Sequence, residues 1–416
     1  MLRVDAPHPA GTGVNVIGYF HGQFGGGEVT RMVVSALKER SIPYALISID
    51  GLAKEHNQEK VEEVLAERPV YPINIFCINT PQIYQIVSKS KWKGLSCHYN
   101  ISLCFWETDV IPNELKRALR YFDEIWVASA YNQASLSAAV AIPVKYMPQP
   151  VQLNYQLCGA KKANFGLDDR FAFLFCFDFL SVFERKNPLG IVRAFRKAFE
   201  GQHEVQLVIK SQNGYRFPAL LQSAREEIAA DPRIHWIDES FSSTRRYELM
   251  EACDCYASLH RSEGFGLTMA EAMLMGKPVI ATGYSGNLAF MTEDNSYLCR
   301  YNLIPIGPGQ GPYPKEGLWA DPDLDQAALW MRRVVENRNE AKEKAQKGRE
   351  DVMQNHSFEA VGKKMEHYLT KAPACFRKKK SWKSRSRHFF RFLWGVLCHY
   401  ANAVVRRLKL KLERST

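Results

Sequence analysis

The stretch of sequence that decides the fold is His260-Arg-Ser-Glu-Gly-Phe-Gly-Leu-Thr-Met-Ala-Glu-Ala-Met-Leu-Met-Gly-Lys-Pro-Val-Ile-Ala-Thr282. Its pattern predicts the end of a strand, a glycine-containing loop, a helix from Leu267, a Gly-Lys-Pro turn and a second strand. Gly264 and Gly266 let the backbone approach a ligand closely, and the free amides at a helix start favour an anion. The segment therefore predicts a turn that fits a diphosphate.

Short apolar or β-branched segments alternate with amphipathic helices along the rest of the chain. In the first half, strands are predicted at 14–19, 44–49, 73–78, 101–106 and 124–128, with a helix at 28–40. After prolines at 143, 148 and 150, strands are predicted at 171–177, 205–209, 234–237, 255–259 and 278–281, separated by helices at 188–199, 218–230, 244–252 and 267–275. This alternation is typical of parallel sheets. We therefore predict an α/β fold of two Rossmann-like domains, 1–150 and 151–370, facing each other across a ligand-binding cleft.

The positive charge of the chain is concentrated at its C-terminal end. The 416 residues carry a net charge of +11, but residues 371–416 alone hold 14 lysines and arginines and a single acid. The other residues hold 41 basic and 43 acidic side chains. A protein that binds nucleic acid through its folded domains places its basic excess on those domains. We therefore predict no nucleic-acid partner.

Residues 376–411 combine basic clusters with aromatic side chains such as Trp382, Phe389 and Trp394. This combination suits the interface of an anionic membrane surface, although a basic tail without a specific partner has the same composition. The sequence contains neither a signal-peptide pattern nor the ~20 uninterrupted apolar residues of a spanning helix. We therefore predict a cytoplasmic protein that is peripheral on the cytoplasmic face of the membrane.

The segment 260–282 resembles the E-x7-E signature of retaining GT-B glycosyltransferases, in particular family four, also called glycosyl transferases group 1. The resemblance continues in Phe183-Glu-Arg-Lys-Asn-Pro188, Leu207-Val-Ile-Lys210 and Arg233-Ile-His-Trp-Ile237, and it covers residues 14 to about 365. It implies the GT-B fold. It also implies a hexosyltransferase that uses a nucleoside diphosphate sugar and retains the anomeric configuration.

The resemblance also implies roles for individual residues on the donor side. Glu263 would contact the donor sugar and Glu271 the nucleotide ribose. Lys186, Arg185 and Lys210 would stabilise the charge that develops on the leaving group. The diphosphate would be held by the backbone amides of Phe265, Gly266, Leu267 and Thr268.

Other interpretations of these residues remain open in the sequence. Thr268-Met-Ala-Glu271 fits a capping box, Ser262 is a candidate helix cap, and the basic residues have the composition of solvated surface charge. Many relatives also carry a Gly-Arg pair about six residues before the lysine, where this sequence has Asp178-Phe-Leu180. Arg185 is the candidate substitute for that arginine.

The N-terminal half contributes a glycine loop and an acidic strand end. Gly22-Gln-Phe-Gly-Gly-Gly-Glu28 lacks the G-x-G-x-x-G order, which disfavours an NAD enzyme, and the alternative is a simple strand–helix turn. The resemblance implies that Gly25, Gly26 and Gly27 face the donor phosphates. Glu107 follows a predicted strand at the cleft, so we assign it to the acceptor side. His98 and His21 are secondary candidates, since a lone histidine is more often structural.

We predict neither a metal nor a cofactor, because the sugar nucleotide is itself the substrate. The acidic run Asp321-Pro-Asp323-Leu-Asp325 precedes a predicted helix at 326–336, so helix capping explains it better than a metal site. The predicted reaction moves a hexose such as mannose, glucose or rhamnose to a lipid-linked or surface-polysaccharide acceptor, as in lipopolysaccharide assembly. The alternatives are a catalytically inactive GT-B scaffold at the membrane and a sugar phosphorylase.

Overall fold

The computed structural model describes residues 13–22, 25–50, 63, 65–78 and 98–372. Within these residues the chain forms two α/β domains, each built on a six-stranded parallel sheet. The strands of the N-terminal domain are β1 (Val14–Gly18), β2 (Tyr44–Ser48), β3 (Ile73–Cys77), β4 (Tyr99–Leu103), β5 (Glu124–Val127) and β6 (Val144–Tyr146). They lie in the order β2-β1-β3-β4-β5-β6. The helices described here are α1 (Gly25–Glu39), α2 (Asn113–Leu119) and α3 (Ala130–Ala139).

The C-terminal domain repeats this architecture. Its strands are β7 (Phe171–Asp178), β8 (Val205–Gln212), β9 (Ile234–Asp238), β10 (Cys255–Ser258), β11 (Val279–Thr282) and β12 (Tyr297–Cys299), in the order β12-β11-β10-β7-β8-β9. Its first helices are α4 (Phe183–Lys186), α5 (Pro188–Ala198), α6 (Pro218–Ile228), α7 (Ser243–Ala252) and α8 (Leu267–Leu274). An antiparallel hairpin of β13 (Tyr301–Pro305) and β14 (Leu318–Pro322) follows β12. Three helices then complete the described chain: α9 (Leu324–Glu336), α10 (Arg338–His356) and α11 (Phe358–Thr370).

The structure confirms the predicted fold class, and each predicted strand overlaps an observed one. The sequence analysis did not predict β6 and β12, which have three residues each, nor the β13–β14 hairpin, whose first strand is mostly exposed and therefore lacks an apolar pattern. The β6 strand lies between Pro143 and Pro148, so the predicted domain crossing follows this strand. The basic tail at 376–411 lies outside the described residues. Among the helices that the structure describes, none is long and apolar enough to cross a membrane.

The β7 strand lies at the centre of the C-terminal domain and is buried on both faces. Phe171, Phe173, Phe175 and Phe177 pack on one face with residues of α5, and Ala172, Leu174 and Cys176 pack on the other with α7 and α8. Alternate residues of a strand point to opposite faces, and each fully buried phenylalanine contributes about 1.5–3 kcal/mol. This rigid strand fixes the position of α4, which follows it after one turn of 3₁₀ helix.

The last described helix, α11, returns to the N-terminal domain. Val361, Met365 and Leu369 are buried in the same apolar cluster as β1 and β3. A Cβ atom on Gly362 would lie 2.4 Å from the carbonyl oxygen of Ala36 in α1, so the two helices touch through their backbones. The α10 helix ends at His356, whose ring is hydrogen-bonded to the carbonyl oxygen of Gln149 at 2.8 Å. The last two described helices, α10 and α11, therefore connect the C-terminal domain to the N-terminal one.

Replacing Gly362 by alanine should lower the free energy of unfolding by about 1–3 kcal/mol, as expected for overpacking. The added methyl group meets the α1 backbone, and the gain of about 1 kcal/mol from removing a helical glycine does not offset this clash. Chemical denaturation measures the change. The matched control is Lys363→Ala on the exposed side of the same helix, which should change the value by less than about 0.5 kcal/mol. Equal stability of the two variants would contradict the packing described for α11.

Candidate active site

The loop between β10 and α8 lies at the carboxyl ends of the C-terminal strands and faces the N-terminal domain. Gly266 caps α8 with a φ of 95°, a left-handed conformation that favours glycine, and a Cβ atom there would lie 2.4 Å from the Met269 side chain. No side chain caps the helix at this residue. The side chain of Phe265 packs on Phe290 with ring centroids 4.9 Å apart, so only its backbone is available to a ligand. The predicted anion-binding turn is therefore present as a backbone structure.

Glu263 lies in this loop between two cations of α4. Its carboxylate forms an ion pair with Lys186 and a second with Nη1 of Arg185 at 3.2 Å. Two backbone contacts fix α4 beside the loop: Arg261 N donates to the carbonyl oxygen of Arg185 at 2.7 Å, and the Asn187 side chain donates to the carbonyl oxygen of Leu259 at 2.8 Å. Three residues that the sequence assigned to catalysis are thus in direct contact.

The two cations keep Glu263 ionised although folding removes it from water. Burial alone would raise the pKa of the Glu263 carboxyl, but the charges of Lys186 and Arg185 outweigh burial and lower the pKa to about 2. The carboxylate is therefore a permanent hydrogen-bond acceptor at physiological pH. It suits the hydroxyl groups of a sugar and would repel a phosphate.

The two cations differ in their exposure. The Arg185 side chain is 4% exposed and also donates to the backbone oxygens of Ser181 (3.1 Å) and Ser262 (2.7 Å), so its contacts are with the protein. The Lys186 side chain is 16% exposed. Lys186 is therefore the more exposed cation of this pair, whereas the hydrogen bonds of Arg185 stabilise the loop.

Lys210 is also a buried cation, but unlike Arg185 and Lys186 it does not contact Glu263. It lies near the end of β8 and is 3% exposed. Its ammonium group sits 5.0 Å from the ring centroid of Phe241, and it forms no ion pair with a carboxylate of the described residues. Burial lowers the pKa of the Lys210 ammonium from its ordinary value of 10.5. A buried cation that forms no close ion pair within the described part of the chain is suited to an anionic ligand.

Glu271, the second carboxylate of the signature, lies inside the protein. Its oxygens accept hydrogen bonds from both terminal nitrogens of Arg246 and from the Tyr247 hydroxyl at 2.9 Å. Burial alone would lower the pKa of Arg246. The negative charge of Glu271 and, to a smaller extent, that of Glu28 in α1 outweigh burial and raise the pKa above the ordinary value. A ribose hydroxyl that binds Glu271 would share the carboxylate with these partners.

Arg246 and Tyr247 are site residues that sequence reasoning missed. They lie on the predicted helix at 244–252, but nothing in their spacing from Glu271 indicates the contact. The electrostatic interaction of Arg246 with Glu28 also places the start of α1 across the cleft from this pair. The glycine loop leads into this helix start: α1 begins at Gly25, which is exposed, while Gly26 is half-buried and Gly27 is buried.

Glu107 reaches the same site from the N-terminal domain. Its backbone oxygen accepts a hydrogen bond from the Ser262 hydroxyl, next to Glu263. The ring of His21, a secondary candidate, is hydrogen-bonded to Asp50 at 2.8 Å, and the backbone oxygen of His98 accepts a hydrogen bond from the Asn100 side chain at 3.2 Å. Glu107 is thus the acceptor-side candidate that the structure brings next to Glu263.

The structure supports the side-chain cap predicted for α9 but not the caps considered for α8. The Thr268 hydroxyl accepts a hydrogen bond from Tyr256 at 2.8 Å, and the hydroxyl of Ser262 is directed to Glu107, so neither forms the predicted cap of α8. Asp323 does cap α9, because its carboxylate accepts from the backbone amides of Asp325 and Gln326 at 3.0 Å. The capping interpretation is confirmed for the acidic run and not for the signature.

Comparisons with known proteins agree with this arrangement. Residues 177–304 match the family described as Glycosyl transferases group 1, whereas the comparison with curated proteins gives no significant match. HepE of Anabaena, solved in complex with UDP and glucose, is 12% identical and covers 86% of this chain and 100% of its own, with a TM-score of 0.61. A sucrose-phosphate synthase from Thermosynechococcus elongatus is 15% identical, with a TM-score of 0.61 over 86% of this chain and 98% of its own. A glycosyltransferase from Rickettsia africae is also 15% identical, with a TM-score of 0.62 over 87% and 98%.

The chain has the GT-B fold. Within this fold, the loop of Glu263 and the start of α8 belong to the C-terminal domain, and the start of α1 and Glu107 belong to the N-terminal domain.

The two lysines of the site should affect stability in opposite directions. Lys210→Met should raise the free energy of unfolding by about 1 kcal/mol at neutral pH, because it removes an unpaired buried charge. Lys186→Met should lower it by about 1–3 kcal/mol, because Glu263 keeps only one cation. Chemical denaturation of both variants measures the two changes.

The pH dependence of Lys210→Met gives an internal control. The folded-state pKa of Lys210 lies below 10.5. Its charge therefore lowers the free energy of unfolding most at neutral pH, and this effect disappears as the lysine loses its proton and the pH rises to 10.5. The stability difference between Lys210→Met and the wild type should shrink over that interval. Equal destabilisation of the Lys186 and Lys210 variants would contradict the charge arrangement described here.

Proposed function

We propose that the protein is a retaining glycosyltransferase that moves a hexose from a nucleoside diphosphate sugar to an acceptor hydroxyl. The observation that carries the proposal is the ionised Glu263 between Arg185 and Lys186, beside the open amides at the start of α8. The Glu263 carboxylate can accept hydrogen bonds from the hydroxyl groups of a sugar, and the amides a few residues later can bind a diphosphate. A nucleoside diphosphate sugar carries its hydroxyl groups and its diphosphate side by side, so it matches this arrangement.

In the proposed reaction the bond between C1 of the sugar and the diphosphate oxygen breaks. A new bond forms between C1 and the acceptor oxygen, and the hydroxyl proton passes to the departing phosphate. The products are a glycoside and a nucleoside diphosphate. Lys186, Lys210 and the amides of α8 stabilise the charge on the leaving group, while Glu263 accepts a hydroxyl of the sugar and fixes its orientation.

Lys210 supports the diphosphate part of this proposal. Its ammonium group is buried, and among the described residues it forms no close ion pair, only weaker interactions with the charges of Asp178 and Asp238, so its burial is unfavourable for folding. A diphosphate would supply the missing charge, so the binding energy of the donor would include the relief of this cost. HepE of Anabaena, a protein of the same fold, is solved with UDP and with UDP-glucose.

The finer parts of the proposal come from the sequence. Retention of configuration is inferred from the E-x7-E resemblance. An acceptor at the cytoplasmic face of the membrane, either a lipid-linked glycan or a growing surface polysaccharide, is inferred from the basic aromatic tail at 376–411. A tail that holds the protein on an anionic surface would bring the cleft close to such an acceptor. We propose no metal or cofactor in this reaction.

An inactive scaffold of the same fold is the second candidate, and one observation favours it. Where relatives carry a Gly-Arg pair, this chain has Asp178, whose carboxylate accepts hydrogen bonds from Gln212 (2.7 Å) and Asn213 (3.0 Å), and the exposed Leu180. The candidate substitute, Arg185, is occupied by protein contacts. A scaffold would not turn over a nucleotide sugar, so turnover separates the two candidates.

We expect the wild-type protein to release a nucleoside diphosphate from one of UDP-glucose, GDP-mannose, ADP-glucose and dTDP-rhamnose, with water in place of the acceptor. Glu263→Gln should lower the rate by at least about 100-fold, because the sugar loses an ionised hydrogen-bond acceptor in the transition state. A coupled assay of nucleotide release measures the rate.

The matched control is Glu184→Gln, an exposed carboxylate on α4 next to the same cations, which should stay within about twofold of the wild type. Circular dichroism checks that both variants are folded. Release at the wild-type rate by folded Glu263→Gln would overturn the site assignment, and no release by the wild type from any of the four donors would favour the scaffold.

A further inference from the structure

The β13–β14 hairpin connects the active-site loop of one domain to the surface of the other. Most of it lies beyond residues 177–304, which match the family. On the C-terminal side, Ala320 N donates to the carbonyl oxygen of Arg261 at 2.8 Å, two residues before Glu263. The Arg261 side chain in turn forms an ion pair with Asp321 at 2.7 Å. The hairpin is therefore anchored on the loop that carries the catalytic carboxylate.

The opposite side of the hairpin lies on the N-terminal domain. Leu318 N donates to the Asp109 carboxylate at 3.0 Å. Ile306, Tyr313 and Trp319 are buried in an apolar cluster formed mainly by N-terminal residues. The hairpin therefore packs directly against the segment that contains Glu107.

Tyr313, in the loop between the two strands, lies where the hairpin meets both halves of the site. It is 9% exposed, and its ring packs on Trp106 with centroids 5.5 Å apart at an angle of 61°. The guanidinium carbon of Arg185 lies 5.9 Å from the centroid of the same ring. The side chain thus lies between the residue that precedes Glu107 and the arginine that holds Glu263.

The electrostatics of Tyr313 agree with this position. Burial raises the pKa of its phenol, the charge of Arg185 opposes the rise, and the charge of the Glu107 carboxylate adds to it, so Glu107 lies close enough to act on the phenol. Glu107 also interacts electrostatically with Arg185 and Lys186 but forms an ion pair with neither. A hydrogen bond from Tyr313 would keep the Glu107 carboxylate from moving onto the cations that Glu263 needs.

We propose that Tyr313 is a positioning residue that holds the Glu107 carboxylate beside the Arg185–Glu263 pair, where Glu107 orients the hydroxyl that attacks the donor sugar. The inference rests on the proposed glycosyl transfer and assigns the hairpin a part in it. Glu107 belongs to the N-terminal domain and Glu263 to the C-terminal domain. The hairpin is the element that places the phenol between them, so it aligns the acceptor side of the reaction with the donor side.

The test is a double-mutant cycle of Tyr313→Phe and Glu107→Gln, using the donor that the wild-type protein hydrolyses. Tyr313→Phe keeps the ring against Trp106 and Arg185 and removes only the hydroxyl. Each single variant should lower kcat for nucleotide release about tenfold, with the KM for the donor within about twofold of the wild type. The double variant should be no slower than Glu107→Gln alone, because both changes remove the same interaction.

A matched control is Tyr297→Phe, a buried tyrosine of β12 that packs on Trp330, whose kcat should not change. Wild-type kcat in Tyr313→Phe, losses that multiply in the double variant, or a donor KM that rises with the loss of kcat would each overturn the role of Tyr313 and leave the proposed function intact. A wild-type protein without turnover would overturn the proposed function and this inference with it.

Discussion

Glu263 is removed from water by folding, and the rest of the site depends on the two cations that keep it charged. Its contacts with Arg185 and Lys186 join the turn after β7 to the turn after β10. Removing one partner of a buried ion pair typically costs about 3–5 kcal/mol, so neither turn can move without a large loss of stability. The ion pairs therefore fix the backbone that leads into α8 as well as the carboxylate. A ligand that binds the amides of α8 meets Glu263 in a fixed orientation.

The two walls of the cleft are held together by elements far apart in the sequence. The α11 helix follows the C-terminal domain in the chain but packs on α1, while the β13–β14 hairpin lies beside the active-site loop and reaches the segment of Glu107. Chain connectivity alone would leave the distance between donor-side and acceptor-side residues loosely defined. With these two contacts, the start of α1, Glu107 and Glu263 lie on facing surfaces.

The sequence predicted the parts of the structure that local patterns determine. The alternation of apolar strands and helices indicated both parallel sheets, and the E-x7-E segment indicated the loop, the helix and both carboxylates. The contact of Arg246 with Glu271 and the electrostatic interaction of Tyr313 with Glu107 were not predictable in this way. The partners lie 25 and 206 residues apart, and no local spacing records such interactions. Sequence reasoning gave Arg185 and Lys186 the same role at the leaving group. Burial separates them, and burial depends on the packing of α4 against the whole domain.

Lys210 offers the most direct test of the central claim that this cleft binds a nucleoside diphosphate. Burial lowers the pKa of the Lys210 ammonium, so its charge opposes folding, and the proposed diphosphate would offset this cost. The measurement is the thermal unfolding midpoint of the full chain with UDP, GDP, ADP, dTDP or CMP, for the wild type and for Lys210→Met. A ligand at about 100 times its Kd contributes about 2.7 kcal/mol. The account predicts that one nucleoside diphosphate raises the midpoint of the wild type and not that of the variant. No shift with any nucleotide, or an equal shift in both proteins, would contradict it.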